Sequence, residues 1–443
     1  MQEDTEAIEK TLKETVIFDG MNGSLLLQLG DICSSQGRFT EARLYYSKAL
    51  EMSGSSGEKE LIKSKILETE RRIQTDFTDE EPSTEFLDVL LKEVLHHSAN
   101  DYVYNIDIEL FEFMRVPVRD TIVLNTEAEK RGIRNHLQGI ANLYDCLADQ
   151  ASRELLLKVL AFRILGNKKV KLPLNNPEYW RRRQFIKKLI CSANTLKTKF
   201  HQWDLNHFHL LPLGYNLELY CFPIGLSATF LEKQYVYDKT DPPVKTDPGD
   251  IVIDAGGCFG DTALFFADEI GNSGHVYTIE FIPSNLEIME TNLNLNPHLR
   301  DKITIVEHPL WNVPNQLLHY KDQGPGSFVS FFKTDQVNEE TTTITIDEIV
   351  SRYRLSRVDF IKMDIEGAEL HALLGAEQTL KRFKPKLAVT IYHQIGDFDN
   401  IAKYLNGLDL GYRFYLGHNT IYAQETVLFA SSDLRVERET HPN

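Results

Sequence analysis

Apolar and polar positions change rhythm twice along the chain. From residue 24 to residue 50, SLLLQLGDICSSQGRFTEARLYYSKAL, apolar residues recur at helical spacing on either side of a glycine-containing break. The spacing predicts a helix–turn–helix pair, followed by a third helical stretch at 58–75, EKELIKSKILETERRIQT. A polar, proline-containing break, TDFTDEEPSTE at 75–85, closes this region. The pattern predicts helix again from Phe86 to about Leu196. Beyond the proline-rich loop YDKTDPPVKTDPGD (237–250) the period shortens. Strands are predicted at 251–255, 275–280, 303–307, 358–363 and 386–392, with helices between most of them, and two further β-like runs at 412–418 and 425–430. Alternation ending in a hairpin predicts an α/β domain: a mostly parallel sheet, helices on both faces and an antiparallel edge. Ligands of such sheets bind at the carboxyl ends of the strands, where the strand order reverses.

A chain of 443 residues is too long for one core. The boundaries predict a helical region at 1–80, a helical middle domain at 86–200 and the α/β domain at 201–443. The net charge of −17 argues against a nucleic-acid-binding surface. No apolar run approaches the ~18 residues of a membrane span. The acidic start MQEDTEAIEKTLKETV lacks the basic-then-apolar order of a secretory signal. Cysteines 33, 146, 191, 221 and 258 show no CxxC spacing, which predicts reduced thiols in a cytoplasmic protein and neither a disulfide framework nor a zinc site. The basic segment YWRRRQFIKKLICSANTLKTKFHQW (179–203) could face an anionic substrate such as a nucleotide-linked sugar, but such a charge run reads first as a solvated helix face. In the first helical pair, Leu26, Leu29, Gly30, Gly37, Ala42, Tyr46 and Ala49 resemble the large and small packing positions of a tetratricopeptide repeat. A lone repeat cannot bury its apolar face alone, so these helices are expected to dock on another domain, a second copy or a protein partner.

The stretch VIDAGGCFGDTALFFADEIG (252–271) is a strand breaking through glycines into a helix. A nucleoside-triphosphate loop would need GxxxxGK, and no lysine follows. A dinucleotide fingerprint would need GxGxxG; Gly256 and Gly260 frame the turn, but Cys258 stands at the middle position. Asp254, at the strand end, would repel a pyrophosphate. S-adenosylmethionine has no phosphate and carries an ammonium and a sulfonium, so an acid beside the turn suits it. Glu280 ends the next strand and can accept from both ribose hydroxyls.

The residues DAGGCFGDTALFFA, EFIPSNLEIMETNLNLNP, VEHPLWN, TITIDEIV, VDFIKMDIEGAELHALLGA, KPKLAVTIYH and ETVLFA resemble the FkbM-type methyltransferases, O-methyltransferases that use S-adenosylmethionine on sugars and natural products. The likeness spans about 211–430. It implies a class I, Rossmann-like, seven-strand methyltransferase sheet and cofactor contacts at Asp254, Gly256, Gly260, Asp261 and Glu280. It also implies that Glu307 and His308 lie near the adenine and that Tyr235 belongs to a segment covering the cofactor.

Methyl transfer to an alcohol needs a positioned hydroxyl and a proton acceptor or a metal. Asp364, Glu366 and His393 are expected at the ends of neighbouring strands beside the cofactor. His393 could be the base, with Asp364 or Glu366 orienting it and binding sugar hydroxyls. Alternatively Asp364, Glu366 and His393, with His418, could hold Mg²⁺ or Mn²⁺. Glu369 reads as a helix N-terminal acid. The expected function is O-methylation of a sugar, glycan or natural-product hydroxyl. Two alternatives stand beside it: a scaffold that recruits partners through the repeat, and an NAD-dependent oxidoreductase.

Overall fold

The computed structural model describes residues 2–75, 85–103, 105–107, 126–334, 337 and 339–432, so the break expected at 75–85 lies almost wholly outside the described residues. The chain divides into two compact units. One comprises 1–105, 122–137 and 156–171; the other comprises 106–121, 138–155 and 172–443. The stretch 86–200 is shared between them.

The first unit is helical. Its chain begins with α1 (Gln2–Phe18), α2 (Gly23–Ser35), α3 (Phe39–Met52), α4 (Ser56–Thr75) and α5 (Phe86–Ser98). The α2–α3 pair is the expected hairpin, with Gly37 in the left-handed turn at φ 80°. A Cβ on Gly30 would stand 2.4 Å from the Tyr46 ring, so only glycine lets the two helices approach this closely. Leu26, Leu29, Ala42 and Ala49 are buried in the same seam. Helix α1 packs on α2 and α5, and α4 on α3, which gives the hairpin neighbours within its own unit.

Polar contacts tie these helices together. Buried Lys13 of α1 lies 2.6 Å from Glu9 and pairs with Asp88 of α5. Arg38 reaches both Glu9 and Glu41 at 2.7 Å, and Lys92 reaches Glu41 at 3.0 Å. Burial opposes charging Lys13, but Asp88 and Glu9 override it and hold its pKa above the usual value.

The second unit carries three sheets. Strands β1 (Ile190–Lys197), β2 (Asp204–His209) and β3 (Glu218–Cys221) form an antiparallel sheet in that order. This corrects the expectation of helix up to Leu196. The basic segment is α-helical only over Pro177–Ile186, and residues 190–197 then pair in extended form with β2. Its arginines are engaged: Arg182 lies 2.8 Å from Glu232 and Arg183 3.0 Å from Asp107.

The main sheet has seven strands: β4 (Ile251–Ala255), β5 (His275–Ile279), β6 (Ile303–Val306), β10 (Phe360–Met363), β11 (Lys386–Thr390), β12 (Tyr412–His418) and β13 (Thr426–Ser432). The intervening β7 (Leu317–Lys321), β8 (Phe328–Ser330) and β9 (Glu339–Thr342) make a small antiparallel sheet that the sequence pattern did not predict. Across the main sheet the order is β6-β5-β4-β10-β11-β13-β12. Strands β6, β5, β4, β10 and β11 are parallel, and β13 runs against both of its neighbours. The reversed strand therefore lies inside the sheet, because the β12–β13 hairpin folds back between β11 and the edge. This is the class I methyltransferase sheet. Val252, Val276, Phe360, Ala388 and Phe429 from five of its strands share one apolar core with Phe265, Phe266 and Met289. The chain leaves β4 for β5 and β6, then returns to β10 on the other side. The order thus reverses between β4 and β10, at their carboxyl ends.

Replacing Lys13 with Ala would leave the buried Glu9 and Asp88 facing each other without their shared cation. The expected cost is roughly 3–5 kcal/mol, the scale for breaking a buried ion pair. A clear fall in the thermal midpoint of the helical unit, followed by circular dichroism, checks this; a change within error would show the network to be energetically idle.

Candidate active site at the strand ends

Strand β4 runs into the turn Gly256–Gly260, and the helix Asp261–Glu269 follows. Gly256 adopts φ 88°, and a Cβ there would stand 1.9 Å from the Asp364 carbonyl oxygen, so the turn can lie directly on the end of β10. Cys258, in place of a middle glycine, still takes the left-handed backbone at φ 43°.

Asp254 was expected to face the cofactor's ammonium; the structure turns it inward. It is fully buried and accepts from Thr262 Oγ1 at 2.9 and 3.1 Å and from Thr278 Oγ1 at 2.9 Å. Its counter-ion is Lys362 Nζ, 3.1 Å away and also buried. Lys362 further donates to the carbonyl oxygens of Ala255 (3.1 Å) and Gly256 (2.7 Å), fastening β10 beneath the glycine turn. Burial opposes the ammonium, and Asp254 outweighs that, so the Lys362 pKa is raised. Sequence reasoning missed Lys362. Its signal was a charged residue inside the apolar run VDFIKM, where an unpaired lysine would be prohibitive.

Glu280 lies just past β5 and is buried. Its Oε1 accepts from the backbone N–H groups of Phe281 (2.7 Å) and Ile282 (2.8 Å), and Oε2 from Asn285 Nδ2 at 3.0 Å. These bonds orient the carboxylate and leave lone pairs on Oε2 for a ligand's hydroxyls. Burial outweighs the three donors and raises its pKa. Asp261, at the helix start, accepts from Thr229 Oγ1 at 3.0 Å, and burial pushes its pKa up. Glu307 is exposed after β6, and His308 Nδ1 lies 3.0 Å from the Thr342 carbonyl oxygen. Tyr235, expected in a covering segment, is buried, with its hydroxyl donating to Asp364 Oδ2 at 2.8 Å.

The ends of β10 and β11 bring the other candidates together. His393 Nε2 lies 3.5 Å from Asp364 Oδ1 and 3.5 Å from Glu366 Oε2. Glu366 sits in the left-handed region (φ 57°) with its side chain 73% exposed. Glu369 has a larger part than its position at a helix start suggested. It is fully buried, and its Oε1 accepts from Ile365 N (2.9 Å) and Thr390 Oγ1 (3.1 Å) and lies 3.0 Å from His393 Nδ1. Glu425, also missed, enters because β13 is reversed: its first residues meet the carboxyl end of β11. Tyr392 Oη donates to Glu425 at 3.4 Å, and Gln234 donates to it as well. Burial, then Asp364, push the Glu425 carboxyl up to about 7.

Residues 254–414 match the family model of the methyltransferase FkbM domain. The chain carries an FkbM methyltransferase domain. No curated protein matches its sequence. Among solved structures it is similar to a methyltransferase FkbM from Methylobacillus flagellatus, at 20% identity and TM-score 0.42, covering 67% of this chain and 59% of that one. It is also similar to fibrillarin from Aeropyrum pernix with natively bound S-adenosyl-L-methionine, at 14% identity and TM-score 0.27, covering 42% of this chain and 67% of that one. A SAM-dependent O-methyltransferase from Thermotoga maritima matches at 16% identity and TM-score 0.28, covering 44% of this chain and 63% of that one. The chain thus spans under two thirds of the first and third of these structures.

At the strand ends, the cation set expected from the sequence changes. His418 drops out: it is buried, with Nδ1 2.8 Å from Thr426 Oγ1 and Nε2 2.8 Å from the Tyr422 carbonyl oxygen. Asp364, Glu369 and His393 instead offer one ligand atom each within 4.8 Å of one another. Glu369 Oε2 and both ring nitrogens of His393 are buried without an aligned hydrogen bond. Such orphaned polar atoms fit either a protonated imidazole among carboxylates or a divalent ion. Burial opposes charging the ring, yet Glu369, Asp364 and Glu366 carry the His393 pKa up to about 9. The same pairing holds Glu369 below its usual value despite its burial.

A folded pKa of about 9 against the ordinary 6.5 means that His393 stabilises the fold fully below pH 6.5. That contribution fades as pH rises through about 9. In urea unfolding at a series of pH values, the stability gap between the wild type and His393→Gln should shrink across that window. A gap independent of pH would show that the imidazole is neutral throughout.

Proposed function

We propose that the protein is an S-adenosylmethionine-dependent O-methyltransferase whose acceptor is a hydroxyl of a sugar, glycan or natural product. One observation carries this reading: Asp364 and His393 converge at 3.5 Å beside the glycine turn, where the strand order reverses. When bound, S-adenosylmethionine supplies an electrophilic methyl and a neutral thioether as leaving group. Glu280 accepts from the ribose hydroxyls, and the Gly256–Gly260 turn lets the backbone approach the methionine part. Lys362 and Asp254 hold that turn from below without touching the ligand. Asp364 accepts from the acceptor hydroxyl or a neighbouring one, which aims the oxygen along the line of displacement. His393 Nε2 takes the hydroxyl proton as the O–C bond forms. With a pKa of about 9, its ring is neutral in only ~1% of molecules at pH 7, so base catalysis strengthens toward alkaline pH.

A second reading is favoured by the orphaned atoms of His393 and Glu369. Asp364, Glu369 and His393 would hold Mg²⁺ or Mn²⁺, whose chemistry is to acidify a bound hydroxyl.

S-adenosylmethionine and S-adenosylhomocysteine should raise the melting temperature, since ligands of the native state stabilise it by mass action. Glu280→Ala should abolish most of the shift. A shift with NAD and none with either methionine compound would refute the cofactor assignment.

His393→Ala should retain cofactor affinity and lose turnover by ~10²-fold or more, the scale for a positioned general base. Wild-type turnover should climb with pH, reach half its maximum near 9 and level off above that. If a chelator silences the enzyme and Mg²⁺ or Mn²⁺ restores it, the metal reading replaces the base.

A further inference from the structure

We propose that Cys191, His207 and Glu218 form a zinc-binding site on the β1–β2–β3 sheet, apart from the strand-end site. One residue comes from each strand, and their thiol, imidazole and carboxylate atoms lie within 4.8 Å of one another. Linear spacing could not reveal the cluster, because no two of the three residues stand at a short motif interval.

The sheet builds the site through its register. Strand β2 pairs regularly with β3, placing His207 opposite Tyr220 and His209 opposite Glu218. Directly paired residues and their i+2 neighbours share a face, so His207 and Glu218 lie on the face opposite Phe208 and Leu219. The latter two are buried in the core of the unit. Strand β1 breaks its register: Ile190 pairs with Phe208, but Thr195 pairs with Asn206, so residues 191–194 bulge out opposite His207. Bulges redirect side chains. This one brings the Cys191 thiol over the same residue, its Sγ 3.6 Å from the His207 carbonyl oxygen.

Two of the three ligands are already oriented. The His207 ring is stacked on Tyr220, with centroids 4.5 Å apart and planes 14° from parallel. Its Nε2 is buried, lacks an aligned hydrogen bond and lies 3.2 Å from Glu218 Oε2. The Glu218 backbone is clamped by Asn296, whose Oδ1 accepts from Glu218 N at 3.0 Å and whose Nδ2 donates to Glu218 O at 2.6 Å. A buried ring nitrogen facing a carboxylate, with a thiol within 4.8 Å, is a donor set that suits a cation.

The donor set selects the ion. Magnesium and calcium prefer all-oxygen sites, whereas a thiolate, an imidazole and a carboxylate suit zinc. Tetrahedral zinc, with bonds of roughly 2.0–2.3 Å, spaces its ligand atoms by roughly 3.3–3.8 Å. The exposed Cys191 and half-exposed Glu218 need only small side-chain rotations to reach it. Water takes the fourth position. The ion would fasten the bulged strand whose continuation carries Lys199, 2.6 Å from Asp322. Asp322 in turn accepts from Ser284 N at 3.1 Å, at the start of the helix that follows Glu280.

The test is a Co²⁺ titration of the full-length, reduced, metal-free protein, followed by absorption. One equivalent should produce visible bands of a tetrahedral site together with a thiolate-to-cobalt charge-transfer band, and Zn²⁺ should bleach both. Cys191→Ser should remove the charge-transfer band, and His207→Ala should weaken binding by at least about tenfold. Asp364→Asn should change neither, which separates this site from any ion at the strand ends. Absence of a thiolate band at one equivalent in the wild type, or a band that survives Cys191→Ser, overturns the proposal.

Discussion

The strand-end site depends on one buried ion pair, Lys362 with Asp254. Both groups are removed from water, which alone would be strongly unfavourable. Compensation is complete on both sides: two threonine hydroxyls satisfy the carboxylate, and two backbone carbonyls share the ammonium with it. Those partners come from β4, β5, the glycine turn and the helix after it, while the lysine itself stands on β10. A single cation therefore fixes the junction of the two halves of the sheet and ties down the carbonyls of Ala255 and Gly256, at the start of a turn in which Gly256, Cys258 and Gly260 are left-handed. The acid and the lysine are both buried beneath the glycine turn, which they hold through the carbonyls of Ala255 and Gly256.

Beside that neutralised junction lies a cluster of the opposite kind. Asp364, Glu366 and Glu369 surround one imidazole and their attraction raises the His393 pKa, while burial and then repulsion by Asp364 raise that of nearby Glu425. The repulsion is sustained because each carboxylate is held by a different element: the end of β10, the turn after it, the helix start and the first turn into β13. Tyr235 and Gln234 hold Asp364 and Glu425 from a further segment. A site of this charge density favours whatever cationic or proton-donating species enters it, and this is the electrostatic basis of the methyl-transfer reading.

The helical unit and the three-stranded sheet use the same device in other forms. In the former, Lys13 and Arg38 neutralise buried carboxylates where three helices meet. In the latter, the thiol, imidazole and carboxylate of β1, β2 and β3 converge to within 4.8 Å of one another.

Periodicity was enough to locate all seven strands of the main sheet to within a few residues, since a sheet covered on both faces imposes long apolar runs at fixed intervals. Small-residue positions were equally legible: Gly30 against Tyr46 and Gly256 against the end of β10 are local steric demands that leave a mark in the chain. The identities of Asp364, His393 and Glu280 followed from their places at strand ends. What the chain could not state was direction and partnership. The burial of Asp254 against Lys362 could not be read from the chain, because its neighbour across the sheet is more than a hundred residues away. Glu425 was invisible because its position depends on one strand running backwards inside the sheet. The helix expected through Leu196 became strand because pairing with β2 outweighs weak local preference. Local pattern determined which elements form; long-range pairing decided which charges meet, since Coulomb energy depends on distance in space and not along the chain.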